Sequence, residues 1–119
     1  MTGVKHDENK SRLELVSSEF IFAVGEILTF GAKKYADRNW EDGLDYSRVF
    51  GACMRHLWSW WAGKSPTCRN FLFGTFDDET NFSHLWHAAC CLMFLVTYEE
   101  RRLGDYDDRP TGKAPGGKE

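Results

Sequence analysis

Residues Ser17–Tyr35 read SSEFIFAVGEILTFGAKKY, and this stretch decides the fold class. Phe20, Val24, Ile27, Leu28 and Gly31 return at three- and four-residue spacing, the period of a helix that buries one face. Ser17 or Ser18 suits the N-cap, where a hydroxyl accepts from the free amides of the first turn, and Glu19 complements the positive helix end. The spacing therefore predicts a helix over 18–35. Glu19, Glu26 and Lys33 recur at seven-residue steps on the other side. That pattern sets Glu26 among Phe22, Ile27 and Phe30, where a carboxylate needs a cation such as Arg48, Arg55 or a metal ion.

Two more helices follow on either side of a long connection. The second is expected from a cap at Asp45 or Ser47 to Ala62, with Gly63 after it. Val49, Phe50, Cys53, Leu57, Trp60 and Trp61 supply its apolar side, and Arg48 and Arg55 its small cationic side. The third is expected from a cap at Asn81 or Ser83 to Leu103, closed by Gly104. One of its stripes is Leu85, Ala89, Leu92 and Val96; the other is His84, His87, Cys91, Leu95 and Tyr98. No segment alternates with the period of a strand. The fold class is all-α, a helical bundle of three main helices. Residues 1–104 form a single domain with an N-terminal arm (1–16), and 105–119, rich in Gly, Pro and charge, form a flexible tail. Residues 64–82, with Phe71, Phe73, Phe76 and Phe82, read as a long structured loop.

The 119 residues include five Trp, four Tyr and nine Phe, more large rings than three helices can cover. Burying the excess calls for a homo-oligomer that completes the bundle. The net charge of −3 offers no general attraction for duplex nucleic acid. No apolar run reaches the about 18–20 residues that cross a membrane, and the first residues lack a signal-peptide apolar region. The four cysteines form no C-x-x-C pair, which points to reduced thiols and a cytoplasmic location, without saying whose cytosol.

Three groups of residues could carry chemistry. Lys33, Lys34, Tyr35, Arg38, Asn39 and Trp40 place cations for phosphate beside rings for stacking a base, and Arg48, Arg55 and His56 add positive charge. A solvated helix end explains the lysines equally well but not Trp40. Asp77, Asp78 and Glu79 ahead of His84 and His87 suit a divalent cation and an acid–base pair. The plainer reading is an acidic flank on a helix with two packed histidines. Glu26 is the third, as a partner for a cation or metal. No P-loop, G-x-S-x-G or G-x-G-x-x-G motif occurs.

Taken together, Lys5-x-Asp7-x-x-Lys10-x-Arg12-Leu13, Phe30-Gly31-Ala32-Lys33-Lys34-Tyr35, Asn39-Trp40, Gly43, Tyr46-Ser47-Arg48, Arg55-His56, Asp77-x-Glu79 and His84-x-x-His87 resemble a phage-associated family. It is the dATP/dGTP diphosphohydrolase N-terminal domain family, and the resemblance covers roughly residues 5–99. It implies kinship with the all-α MazG-like nucleoside triphosphate pyrophosphohydrolases, which use Mg²⁺ to release a monophosphate and pyrophosphate. The E-x-x-E and E-x-x-D pairs of those enzymes are absent from the predicted helices.

The first functional expectation is a purine (d)NTP pyrophosphohydrolase dependent on Mg²⁺ or Mn²⁺, acting on dGTP or dATP. Glu26, Asp77 and Glu79 would hold the metal. Lys33, Lys34, Arg38, Arg48, Arg55 and His56 would meet phosphates, Tyr35, Asn39 and Trp40 the base, and Glu79, His84 and His87 would act in catalysis. The second is a non-catalytic nucleotide-binding protein, such as a viral protein that sequesters a nucleotide signal. The third is an interaction module without nucleotide affinity.

Overall fold

A computed structural model describes residues 3–4, 8–63 and 75–110. The Phe71 and Phe73 part of the expected loop and residues 111–119 of the expected tail lie outside the described residues. The described chain is helical, with α1 at Ser18–Lys34, α2 at Tyr46–Ala62 and α3 at His84–Glu100. Short 3₁₀ turns occupy Leu13–Leu15, Asn39–Asp42 and Gly104–Tyr106. There is no strand among the described residues, only one antiparallel bridge between Phe76 and Ser83.

Local chemistry accounts for the helix ends. The Ser17 hydroxyl caps α1 by accepting from the Phe20 amide at 3.2 Å. Ser83 does the same for α3, from the Leu85 amide at 3.2 Å. In α2 the Asp45 side chain makes no cap bond. Asp108 takes over from far along the chain, accepting from the Ser47 amide at 2.8 Å and the Ser47 hydroxyl at 2.5 Å. An anion at the positive end of a helix is the favourable arrangement. Residues 105–110, expected in the tail, thus lie against α2, and Arg109 stands 5.6 Å over the Tyr46 ring.

The end of α3 departs from the expected Gly104 stop. Arg102 adopts a left-handed conformation at φ 57°. Its amide bonds Glu99 O at 3.1 Å, and the Leu103 amide bonds Tyr98 O at 2.9 Å. This paired closure is one that glycine usually serves. Gly104 is four residues past Glu100, the last helical position, so spacing alone overran the end. Gly43, by contrast, is required: its φ is 105°, and a Cβ there would sit 2.4 Å from the Tyr106 ring.

α3 is the middle helix, packed most extensively on α2 and also on α1. The core is a cluster of Tyr46, Val49 and Tyr98, against which Trp40, Cys91, Phe94, Leu95, Leu103 and Tyr106 pack. Tyr98 is fully buried, and its hydroxyl donates to the Trp40 carbonyl at 2.6 Å. Burial pushes the Tyr98 phenol up to about 12. Burial likewise raises the Cys53 thiol, and takes Cys90 up to about 12 and Cys91 up to about 11, so all three remain unreactive thiols near neutrality.

Tyr98→Phe should destabilise the fold by about 1–2 kcal/mol, because the Trp40 carbonyl loses its donor. Arg102→Gly should stabilise it by about 0.5 kcal/mol, since relief of the left-handed strain exceeds the added freedom of the unfolded chain. Both are read as shifts of the urea midpoint at unchanged slope.

Candidate functional site

The end of α1 and the turn after it form one wall of a cavity of about 640 Å³. The helix stops at Lys34, and Tyr35 caps it with its amide on Gly31 O. Arg38 then takes a left-handed conformation, φ 59°, which turns the chain into the 3₁₀ segment at Asn39–Asp42. Lys34, Tyr35, Arg38, Asn39 and Trp40 all line the cavity from this side. Lys34 Nζ reaches across to Glu79 Oε1 at 2.7 Å. Arg38 bonds Glu41 at 3.2 Å, and Glu41 also accepts from Arg101 at 2.6 Å. Trp40 stacks on Phe94 with centroids 4.8 Å apart and planes at 13°. One face of its indole is therefore already covered, whereas Tyr35 is 66% exposed.

His56 from α2, the turn at 75–83 and the first turn of α3 supply the facing wall. Asp77 organises the turn. Its Oδ2 accepts from the Glu79 and Thr80 amides, both at 3.0 Å, and from the Thr80 hydroxyl at 3.2 Å. Asn81, at φ 62°, closes the turn through its amide on Asp77 O at 2.8 Å. Three histidines gather here. His56 Nδ1 lies 2.7 Å from His84 Nδ1, and the His56 ring stacks on His87 at 4.5 Å with planes 9° apart. His87 Nε2 lies 2.7 Å from Thr80 Oγ1 and 3.9 Å from Asp77 Oδ2.

Electrostatics sets the protonation of this group. Burial, followed by the two neighbouring imidazoles, pulls His56 down to about 4, so it is neutral near pH 7. Burial also lowers His87, against the opposing pull of Asp77. For Asp77, burial favours the neutral acid, yet the Thr80 amide, His87 and the Thr80 hydroxyl outweigh it and hold the carboxyl below its usual range. An ionised Asp77 only accepts, so the Thr80 hydroxyl gives it its one proton. Thr80 Oγ1 then accepts from the Phe82 amide at 3.2 Å and from His87, which fixes His87 as the Nε2–H tautomer with Nδ1 bare.

Of the residues singled out from sequence, Lys34, Tyr35, Arg38, Asn39, Trp40, His56, Asp77, Glu79 and His87 meet at this cavity. His84 is buried just behind, against His56. Lys33 is exposed and does not line it. Arg48 and Arg55 border a second depression with Cys91, which shares Leu44 and Phe94 with the first. The trio of Glu26, Asp77 and Glu79 does not assemble. Glu26 is exposed on α1 and makes no ion pair among the described residues, and Glu79 is engaged by Lys34. The one group of three or more clustered metal-type donors among the described residues is His56, Asp77 and His84, whose ligand atoms lie within 4.8 Å of one another.

Sequence reasoning gave His56 a cationic role beside Arg55. Its position three residues after Cys53 and seven after Val49, both buried, is the signal that separates it from exposed Arg55. Thr80 was missed, although a Thr three residues after an Asp is a common turn-stabilising pair.

The family described as dATP/dGTP diphosphohydrolase, N-terminal, matches residues 1–109. A dATP/dGTP diphosphohydrolase of Salmonella phage PMBT28 is 34% identical over 119 residues, which is 100% of this chain and 37% of that protein. The chain thus spans little more than a third of the length of this relative. No solved structure matches.

The proton chain Asp77–Thr80–His87 has a direct spectroscopic consequence. Long-range ¹H–¹⁵N spectra near pH 7.5 should show His87 protonated at Nε2 alone, and Thr80→Val should leave a mixture of tautomers.

Proposed function

We infer the function from one premise: this chain belongs to the dATP/dGTP diphosphohydrolase, N-terminal, family. The reading is a hydrolase domain that takes a purine deoxynucleoside triphosphate, dATP or dGTP, and cleaves it to the monophosphate and pyrophosphate in the cytosol of a host cell. The observation that carries it is the cavity, where family-motif residues from three distant parts of the chain converge in a volume of about 640 Å³. That size suits a nucleotide-sized ligand.

Lys34 and Arg38 meet the phosphates, exchanging their present carboxylate partners for phosphate oxygens. Tyr35 stacks the purine, since its ring is 66% exposed whereas Phe94 covers one face of the half-buried Trp40. Asn39 supplies an amide for the base edge. His87, with Nδ1 free to accept, holds the attacking water. The lining carries two cations, Lys34 and Arg38, against three carboxylates, Asp37, Asp77 and Glu79. A polyphosphate entering this acidic lining therefore needs a divalent cation, for which Mg²⁺ and Mn²⁺ are the candidates raised by the family resemblance. When bound, such an ion supplies positive charge to the phosphate oxygens. The carboxylates of the lining suit Mg²⁺ and Mn²⁺ alike, whereas its imidazole nitrogens fit Mg²⁺ poorly.

The exposed rings favour self-association as well. Phe22 is 71% exposed on α1, and Trp61 is 70% exposed on α2. A second copy of the chain covering these faces would complete the bundle.

Incubation of the full chain with each (d)NTP and Mg²⁺ or Mn²⁺ should release monophosphate and pyrophosphate from dATP or dGTP. Lys34→Ala and Tyr35→Ala should each weaken nucleotide affinity by about 3–30-fold, about 0.7–2 kcal/mol, while Arg48→Ala leaves it within twofold. Nucleotide that binds and returns intact after denaturation would replace hydrolysis with sequestration. Absence of binding to any (d)NTP would end both readings.

A further inference from the structure

We propose that His56, Asp77 and His84 form a mononuclear site for a divalent transition metal, held by two imidazole nitrogens and one carboxylate oxygen. The three ligands come from α2, the 75–83 turn and α3, and the fold brings their donor atoms within 4.8 Å of one another. Two imidazole nitrogens facing each other at 2.7 Å need a proton between them, and a metal ion takes the place of that proton. Nitrogens bound to one ion at about 2.1 Å stand about 3.0–3.4 Å apart. Side-chain rotations that open this pair by about half an ångström and draw the Asp77 oxygen toward it complete the site.

The surroundings have the features of a supported site. His84 is buried and Asp77 half-buried, so neither can swing freely into solvent. The Glu79 and Thr80 amides and the Thr80 hydroxyl orient the Asp77 carboxylate. The His87 ring, itself held by Thr80, stacks on His56 and limits its rotation. Removal of such outer contacts commonly costs about 10–100-fold in metal affinity. His56 and Asp77 also line the cavity, so the open coordination positions face the proposed nucleotide site.

Donor chemistry selects the ion. Imidazole suits Fe²⁺, Ni²⁺, Cu²⁺ and Zn²⁺, with Co²⁺ between Fe²⁺ and Ni²⁺ in the same affinity series, whereas Mg²⁺ takes oxygen ligands and keeps its waters. The proposal deepens the hydrolase reading by naming the ion class of the same site, but it rests on these three residues and requires no turnover.

The test is titration of the chelator-treated full chain with Co²⁺, read by visible absorption and by equilibrium dialysis. The expected result is one Co²⁺ per chain, displaced by Zn²⁺ but not by a thousandfold excess of Mg²⁺. His56→Ala and Asp77→Asn, each checked for folding by circular dichroism, should lower the Co²⁺ affinity at least tenfold. Arg48→Ala, outside the cluster, should leave it unchanged. Absence of stoichiometric Co²⁺, equal competition by Mg²⁺, a thiolate charge-transfer band, or unchanged affinity in both folded cluster variants would overturn the proposal. Co²⁺ binding without hydrolysis of any (d)NTP would uphold this site while removing the hydrolase reading.

Discussion

The buried Tyr98 hydroxyl, donating to the Trp40 carbonyl at 2.6 Å, is the contact on which the rest of this small domain depends. One residue in the last turn of α3 serves three purposes. Its ring packs against Tyr46 of α2 at 6.0 Å, its hydroxyl ties down the turn after α1, and its own carbonyl closes the α3 terminus through Leu103. A buried phenol without a partner would be costly, so the turn at 39–42 must return to this spot in every folded molecule. That turn carries the wall of the cavity. The position of Arg38 and Asn39 beside it follows from satisfying a hydrogen bond in the core.

The second wall uses the same logic with charged groups. Asp77 is held ionised by the amides and hydroxyl of its own turn, while burial keeps His56 and His87 neutral. The result is a carboxylate beside imidazoles with free lone pairs, a combination suited to a cation rather than to an anion. The cations Lys34 and Arg38 stand on the other wall and are paired with Glu79 and Glu41. The two walls thus have distinct electrostatic characters.

Much of the fold was legible from the chain. The period of Phe20, Val24, Ile27 and Leu28 and the Ser17 cap placed α1 to within one residue of its observed end. The start of α3 at Ser83 was equally readable, because a serine before an apolar run has one obvious use. Its end was misread, since Arg102 accepts a left-handed conformation that composition assigns to Gly104. The capping of α2 by Asp108 was invisible, because it joins residues 61 apart in sequence. Within the site, the cluster of Lys34, Tyr35, Arg38, Asn39 and Trp40 was found because its members are neighbours along the chain. Glu26 was misplaced for a related reason: a heptad stripe describes which residues share a helix face but not whether that face meets another helix or water.

By itself, the sequence determined the three helices, their approximate bounds, the family and the set of residues that could do chemistry, all of which are written in local periodicity and short motifs. Only the tertiary structure decided which of those residues meet. His56, Asp77, His84 and His87 belong to separate elements, and their convergence depends on how α2, the turn and α3 pack around Tyr98. Sequence spacing records neighbours along one element, whereas coordination, ion pairing and stacking act through a few ångströms of space between elements.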